Sequence, residues 1–316
     1  MNKNIMGVAA LLLLLAGNVN ATSIGYAKDK INRAYTFRLG SSATQGQAIR
    51  LTKAKLQALK GKTIDFAEFV VGTNRIKDKS IHAFVTTKLG DTPLAEGTVE
   101  VNRSLTKIKW TLDKPYTITG NEDDLYIGYT GELSIATNKL IIGDGSYDIS
   151  GYNFALNDGE WTDTYGMGYG SGLIYVNVDS AADYTDAIVG HTNFSGYFKA
   201  GESQGVRARF INAGTKTITS FDAVVTVGGN KTTHHFDNLD IKPKDNYNFS
   251  IDDVDSNDEG EQVFNVEIAN VNGAGNETDT SDNTICSSIF FYPKDMERPL
   301  LVETFTGQAC SNCPSG

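Results

Sequence analysis

Apolar side chains recur at every second position through short runs of this chain, the period that a pleated strand with one buried face demands. Val206, Ala208 and Phe210 alternate in one run, Phe221, Ala223, Val225 and Val227 in the next, and Phe264, Val266 and Ile268 in a third. Asn212, Ala213 and Gly214 lie between the first two, where a turn is needed. Earlier strand-like runs fall at 64–71, at 81–89 with Ile81, Ala83, Val85 and Thr87 on one face, and at 108–112, 125–129 and 173–178. One short stretch departs from this pattern. Thr52 can cap a helix over 53–60, with Leu56 and Leu59 on one side and Gly61 as its stop. The expected fold class is all-β, and 316 residues leave room for two consecutive β-sandwiches.

Residues 1–21 place Lys3 ahead of an apolar stretch from Gly7 to Ala16 and end on Val19, Asn20 and Ala21, the pattern of a secretory signal peptide. The apolar part is shorter than the ~20 residues a spanning helix needs, so the chain is expected outside the cytoplasm with no transmembrane span. No cysteine follows it to take a lipid. The formal charge is −10, and loss of residues 1–21, whose only charged side chain is Lys3, makes it one unit more negative. Such a surface repels nucleic acid. The remaining partner classes are a protein or a glycan. The three cysteines, Cys286, Cys310 and Cys313, are too few for a disulfide-stapled miniature fold, so the cores must stand on packing.

The stretch 178–190 is the expected junction, which divides the chain into 22–181 and 182–293. Only six prolines occur and no Pro- or Ser-rich linker separates the halves, so the two modules are expected to meet closely. The order AGE, an alternating strand, NAGT, a second strand ending in VGG, then LDIKP and VNGAGNETDTSDNT resembles bacterial cell-adhesion-related immunoglobulin-like modules over about 195–284. That resemblance implies an immunoglobulin-like sandwich acting as a spacer or binding unit. The first half is similar, more loosely, to jelly-roll modules of secreted adhesins and peptidases.

The chain ends on LLVETFTGQACSNCPSG, and FTGQACSNCP resembles the start of the thioredoxin-like domain in the family related to the 28-kDa outer membrane protein of Gram-negative bacteria. The resemblance implies that 294–316 is the truncated start of such a domain. Cys310 would then be the nucleophile at a helix N-terminus and Cys313 the resolving thiol, with a thiol-disulfide oxidoreductase activity that needs the rest of the domain. Ala309 stands where a tryptophan commonly precedes the first cysteine. The residues by themselves also fit a cystine bridge in a tail that turns over nothing, or half of a zinc site with no second half.

Other chemistry is sparse. Trp161, Tyr165 and Tyr169 stand in a Gly-rich stretch where they could stack on sugar faces, or plug the rim of a sandwich. Asp253, Asp255 and Asn257 begin an EF-type spacing that Asp258 and Phe264 break at its sixth and twelfth positions. Glu277, Asp279 and Asp282 read as a solvated acidic loop. No metal site and no cofactor is therefore expected. His234 and His235 sit in a hairpin with no nucleophile at a matching spacing. Cys286 reads as a small buried hydrophobe on a strand, or less simply as a redox partner for the tail. Three functions stay open: a secreted binding or scaffold protein, an extracytoplasmic oxidoreductase in a longer chain, and a carbohydrate-binding adhesin.

Overall fold

The computed structural model describes residues 21–28, 34–146, 148–179, 182–190 and 196–293. The leader expected at 1–21, Ala21 apart, and the thioredoxin-like start expected at 294–316 with Cys310 and Cys313 lie outside the described residues. What is described is nearly all β, with one short α-helix. Among the described residues no helix is long and apolar enough to cross a membrane.

The first module is a sandwich of two antiparallel sheets. One contains β1 (Thr22–Ile24), β12 (Ile174–Val178), β4 (Thr63–Val70) and β7 (Lys107–Thr117), in that order. The other runs β11 (Glu160–Asp163), β10 (Asn153–Asn157), β3 (Thr44–Thr52), β8 (Asp124–Glu132), β5 (Ser80–Thr86) and β6 (Ala95–Glu100). A small pair, β2 (Tyr35–Phe37) with β9 (Ile141–Gly143), closes one side. Ile49, Leu51, Ala83, Val85, Leu125 and Ile127 of the larger sheet meet Ile64, Ala67, Phe69 and Val176 of the smaller across the core. Thr87 does not share the inward face of Ile81, Ala83 and Val85: β5 ends at Thr86, and Thr87 lies exposed beyond it.

Two glutamines interrupt the apolar pattern of β3 and are fully buried. Gln47 donates to Ile142 O at 2.8 Å and accepts from the Tyr129 hydroxyl at 3.1 Å, while Gln45 accepts from Leu140 N–H at 2.8 Å. These bonds tie the strand β9 and its approach to the main sheet, because buried amides must find partners. Helix α1 (Lys53–Ala58) follows β3 directly, capped by Thr52 Oγ1, which accepts from Lys55 N–H at 3.5 Å. The helix stops at Leu59, just before Gly61 takes the left-handed φ of +79° that an L side chain resists.

The second module packs a three-stranded sheet, β13 (Ala187–Val189), β15 (Gln204–Asn212) and β18 (Asn246–Val254), on a five-stranded one. The latter runs β14 (Tyr197–Lys199), β20 (Thr284–Tyr292), β19 (Gly260–Ala269), β16 (Phe221–Val227) and β17 (Asn230–Phe236), and its β14–β20 pair is parallel. The alternating sets expected from the sequence, centred on Phe210, Phe221 and Phe264, are all buried in one core. Phe210 meets Phe221 edge-to-face at 4.9 Å, and Phe221 stacks on Phe236 at 4.7 Å. The β16–β17 hairpin turns on Gly228 and Gly229, both at positive φ, as a two-residue primed turn requires.

Cys286 is not buried. It lies on β20 as expected, but Ile285, Ile289 and Phe291 take the core-facing register and the Cys286 thiol is free and exposed on the other side.

Candidate functional site

The two modules meet over a buried polar cluster that sequence reasoning missed. Lys55, on α1, is fully buried, and its ammonium lies 2.9 Å from Asp186 Oδ2 of the second module. The same nitrogen donates to the Tyr26 hydroxyl at 3.2 Å and sits over the rings of Tyr26 and Tyr152, 4.5 and 4.7 Å from their centroids. Burial alone would strip its proton, but the Asp186 carboxylate reverses this and holds the Lys55 pKa well above the ordinary lysine range. Around this pair Thr52 Oγ1 donates to Asp279 at 2.8 Å, and the Tyr152 hydroxyl donates to Asp282.

Glu277, Asp279 and Asp282 are therefore buried or half-buried, contrary to the expectation of a solvated acidic loop, although residues 273–276 of the same loop stay exposed. Its carboxylates are drawn into the junction. Burial, the neighbouring Asp186 carboxylate adding to it, pushes the pKa of Asp282 up to about 7. Burial likewise lifts Glu277 to about 8, against the bonds it accepts from Ala187 N–H and the Asn283 amide. Apolar contact completes the joint, since Ala182, Tyr184, Ile188, Ile211 and Ala213 pack into the core of the first module. A further strip is formed by Lys28, 2.8 Å from Asp245, and Lys244, which reaches Ser23 at 3.3 Å.

A second constellation stands on the outer face of the six-stranded sheet. Antiparallel sheets commonly turn a polar face to water, yet here Trp161 of β11 meets Phe84 of β5 edge-to-face at 5.8 Å, and Phe154 of β10 meets Tyr126 of β8 at 5.5 Å. Gly46, Ala48 and Gly128 form the floor between these strands. A Cβ on Gly46 would stand 2.8 Å from Tyr129 O and 3.0 Å from the Trp161 ring, so only glycine lets the indole lie down there. On the same face, reached from Trp161 through Thr130, opens a cleft of about 300 Å³ lined by Thr44, Ser80, Thr98 and Thr130 together with Lys77, Asp78, His82 and Glu132. Register explains the juxtaposition: Gly46, Thr130, His82 and Thr98 are cross-strand partners in one row over β3, β8, β5 and β6.

Of the residues the sequence singled out for sugar contact, Trp161 alone belongs to this face. Tyr169 turns to the other side of the sheet, stacked on Phe37 with ring centroids 3.9 Å apart, beside Ile141 and Ala155. Tyr165 is exposed in the loop after β11, its N–H donating to Asp163 at 3.0 Å. The three aromatic side chains form no common platform. Asp253, Asp255 and Asn257 are exposed at the end of β18, and among the described residues no three His, Cys, Asp or Glu side chains are arranged to hold a metal ion. His235 pairs with Asp222 at 2.6 Å, and His234 lies 3.5 Å from Asp253 and 3.3 Å from the Thr232 hydroxyl, both on the exposed hairpin.

No family model and no curated protein matches the chain. Among solved structures, the CARDB domain of a Pyrococcus furiosus protein, in complex with di-metal ions, is similar at 14% identity and a TM-score of 0.29, covering 34% of this chain and 90% of that one. A domain of a putative cell surface protein from Methanosarcina acetivorans is similar at 17% identity and a TM-score of 0.30, covering 34% and 93%. Red sea bream transglutaminase is similar at 7% identity and a TM-score of 0.25, covering 82% of this chain and 30% of that one.

Proposed function

We propose that this chain is an extracytoplasmic scaffold in which two β-sandwiches are locked into one rigid body. The observation that carries this reading is the buried Lys55–Asp186 pair between the modules. Taking both charges out of water costs several kcal/mol per ion, an expense offset only when partners are held in one geometry. Modules that swing on a tether cannot hold it. Lys55 is set by a capped helix and ringed by Tyr26 and Tyr152, so the relative orientation of the two sandwiches is specified, not merely permitted. A fixed orientation suits a protein that presents one face at a set angle to whatever its second module is attached to.

Small-angle scattering and limited proteolysis of the full chain test it. The native protein is expected to scatter as one body and to resist cleavage at 179–190, and Lys55→Met to broaden the distance distribution and admit cutting there. A native chain that scatters as two independently moving bodies overturns the reading.

A further inference from the structure

We propose that the outer face of the six-stranded sheet is a binding site for a neutral pyranose-containing glycan, with Trp161 as its stacking residue and the adjacent hydroxyl-rimmed cleft as its polar half. The proposal is independent of the scaffold reading, since it rests on the first module alone.

Aromatic rings on a solvent-facing sheet need a reason, because cross-strand packing could be served by aliphatic pairs without leaving an indole half open to water. The rings do not line the cleft itself; Trp161 reaches its margin at Thr130, since a Cβ placed on Gly46 would lie 2.9 Å from Thr130 Cγ2 and 3.0 Å from the indole. A pyranose has matching halves: one face of C–H groups, which the electron-rich face of an indole attracts, and a girdle of hydroxyls that needs both donors and acceptors. Thr44, Ser80, Thr98 and Thr130 each supply both. The volume, about 300 Å³, falls at the small end of the range for small-molecule sites and suits one or two sugar rings of a longer chain.

Charge decides between ligand classes. Of the ionic groups at the cleft, Lys77 lies 3.1 Å from Glu132 and His82 lies 3.1 Å from Glu96, and Asp78 adds a further carboxylate to the lining. That leaves no surplus of positive charge to attract a phosphate or a sulfated polymer, and among the described residues no three His, Cys, Asp or Glu side chains are grouped to hold a metal ion. An extended peptide would pair with the free backbone of a sheet edge, at β11 or β6, whereas this site is built from side chains on the face of the sheet, from Trp161 of β11 across to Thr98 of β6.

The test is affinity electrophoresis of the full chain through gels containing, in turn, a soluble β-1,4-glucan, a β-1,3-glucan, a galactomannan and an α-1,6-mannan. At least one should retard the native protein. Trp161→Ala should abolish that retardation, Thr98→Val should weaken it roughly tenfold, about 1.4 kcal/mol, and Tyr197→Ala, on the second module, should leave it unchanged. Melting curves check that each variant is folded, and Thr98→Val serves if Trp161→Ala is not. Because Trp110 is buried in the core, quenching or blue shift of tryptophan emission on titration reports on Trp161. The proposal is overturned if none of the four polymers retards the native chain, or if folded Trp161→Ala and Thr98→Val both bind as it does. It is equally overturned if only an anionic polymer such as polygalacturonate, or only a protein such as gelatin, is bound through these residues.

Discussion

Lys55 shows what a single side chain can decide. Its ammonium is fully buried against Asp186 and Tyr26, so removing it leaves a buried carboxylate uncompensated. Lys55→Met is expected to destabilise the chain by about 3–5 kcal/mol. Adding Asp186→Leu should recover most of that loss, because an apolar pair of similar bulk is often as stable as the ion pair it replaces. Urea midpoints at constant slope measure both, and a double variant no more stable than Lys55→Met would show that the pair does not act as a unit. None of this was legible in the sequence, where a lysine on a short amphipathic helix reads as solvated and Asp186 is far away along the chain. The same holds for Asp282, whose loop reads as a polar turn until Tyr152 is brought to it. Trp161 was legible as a candidate because a tryptophan among glycines is conspicuous, whereas Phe84 and Thr130 were hidden inside ordinary strands.

Strands with strict alternation could be read directly, and those of the second module were. Phe210, Phe221 and Phe249 sit within 6.3 Å of one another, ring centre to ring centre, on β15, β16 and β18. Phe210→Ala should therefore cost about 3–5 kcal/mol, and a melting temperature equal to that of the native chain would remove Phe210 from the core. Other elements broke the pattern for physical reasons. β3 carries the buried Gln45 and Gln47, and β6 carries Gly97, where a Cβ would stand 2.5 Å from Trp110 Nε1. β17 lies at a sheet edge with polar residues on both faces, so no period marks it. Helix α1 was anticipated from Thr52, which serves both as cap and as a donor to Asp279. Thr52→Ala is expected to cost about 1–2 kcal/mol, and hydrogen exchange should show the first turn of α1 opening sooner.

At the scale of the whole molecule the junction links stability to pH. Burial raises Asp282 to about 7 and Glu277 to about 8, well above the ~3.9 and ~4.3 of unfolded chains. The folded state then binds protons that the unfolded state releases, so this contribution is complete below about pH 4 and is lost as pH rises through 7 to 8. The groups facing Asp282 are Tyr152, Asp186, Lys55 and Asp279. Glu122 acts oppositely: burial opposes its ionisation, but the hydrogen bonds from Thr119 and Tyr116 prevail and lower it to about 2. Its contribution is present above ~4.5 and is lost as pH falls toward 2. Melting temperature should decline from pH 5 to pH 8, and Asp282→Asn should flatten that slope; a flat native profile would contradict the junction chemistry. Chain order adds a matter of timing. Among the described strands β1 pairs only with β12, which also lies between β1 and β4 in the sheet. A ribosome adding ~5–20 residues per second needs roughly 10–30 s to pass from one to the other. From the time β4 is made until the end of that interval, one of its edges has no neighbour and the first core stays open, so a nascent chain of this protein is exposed to mispairing and is expected to require a holding factor until Val178 has emerged.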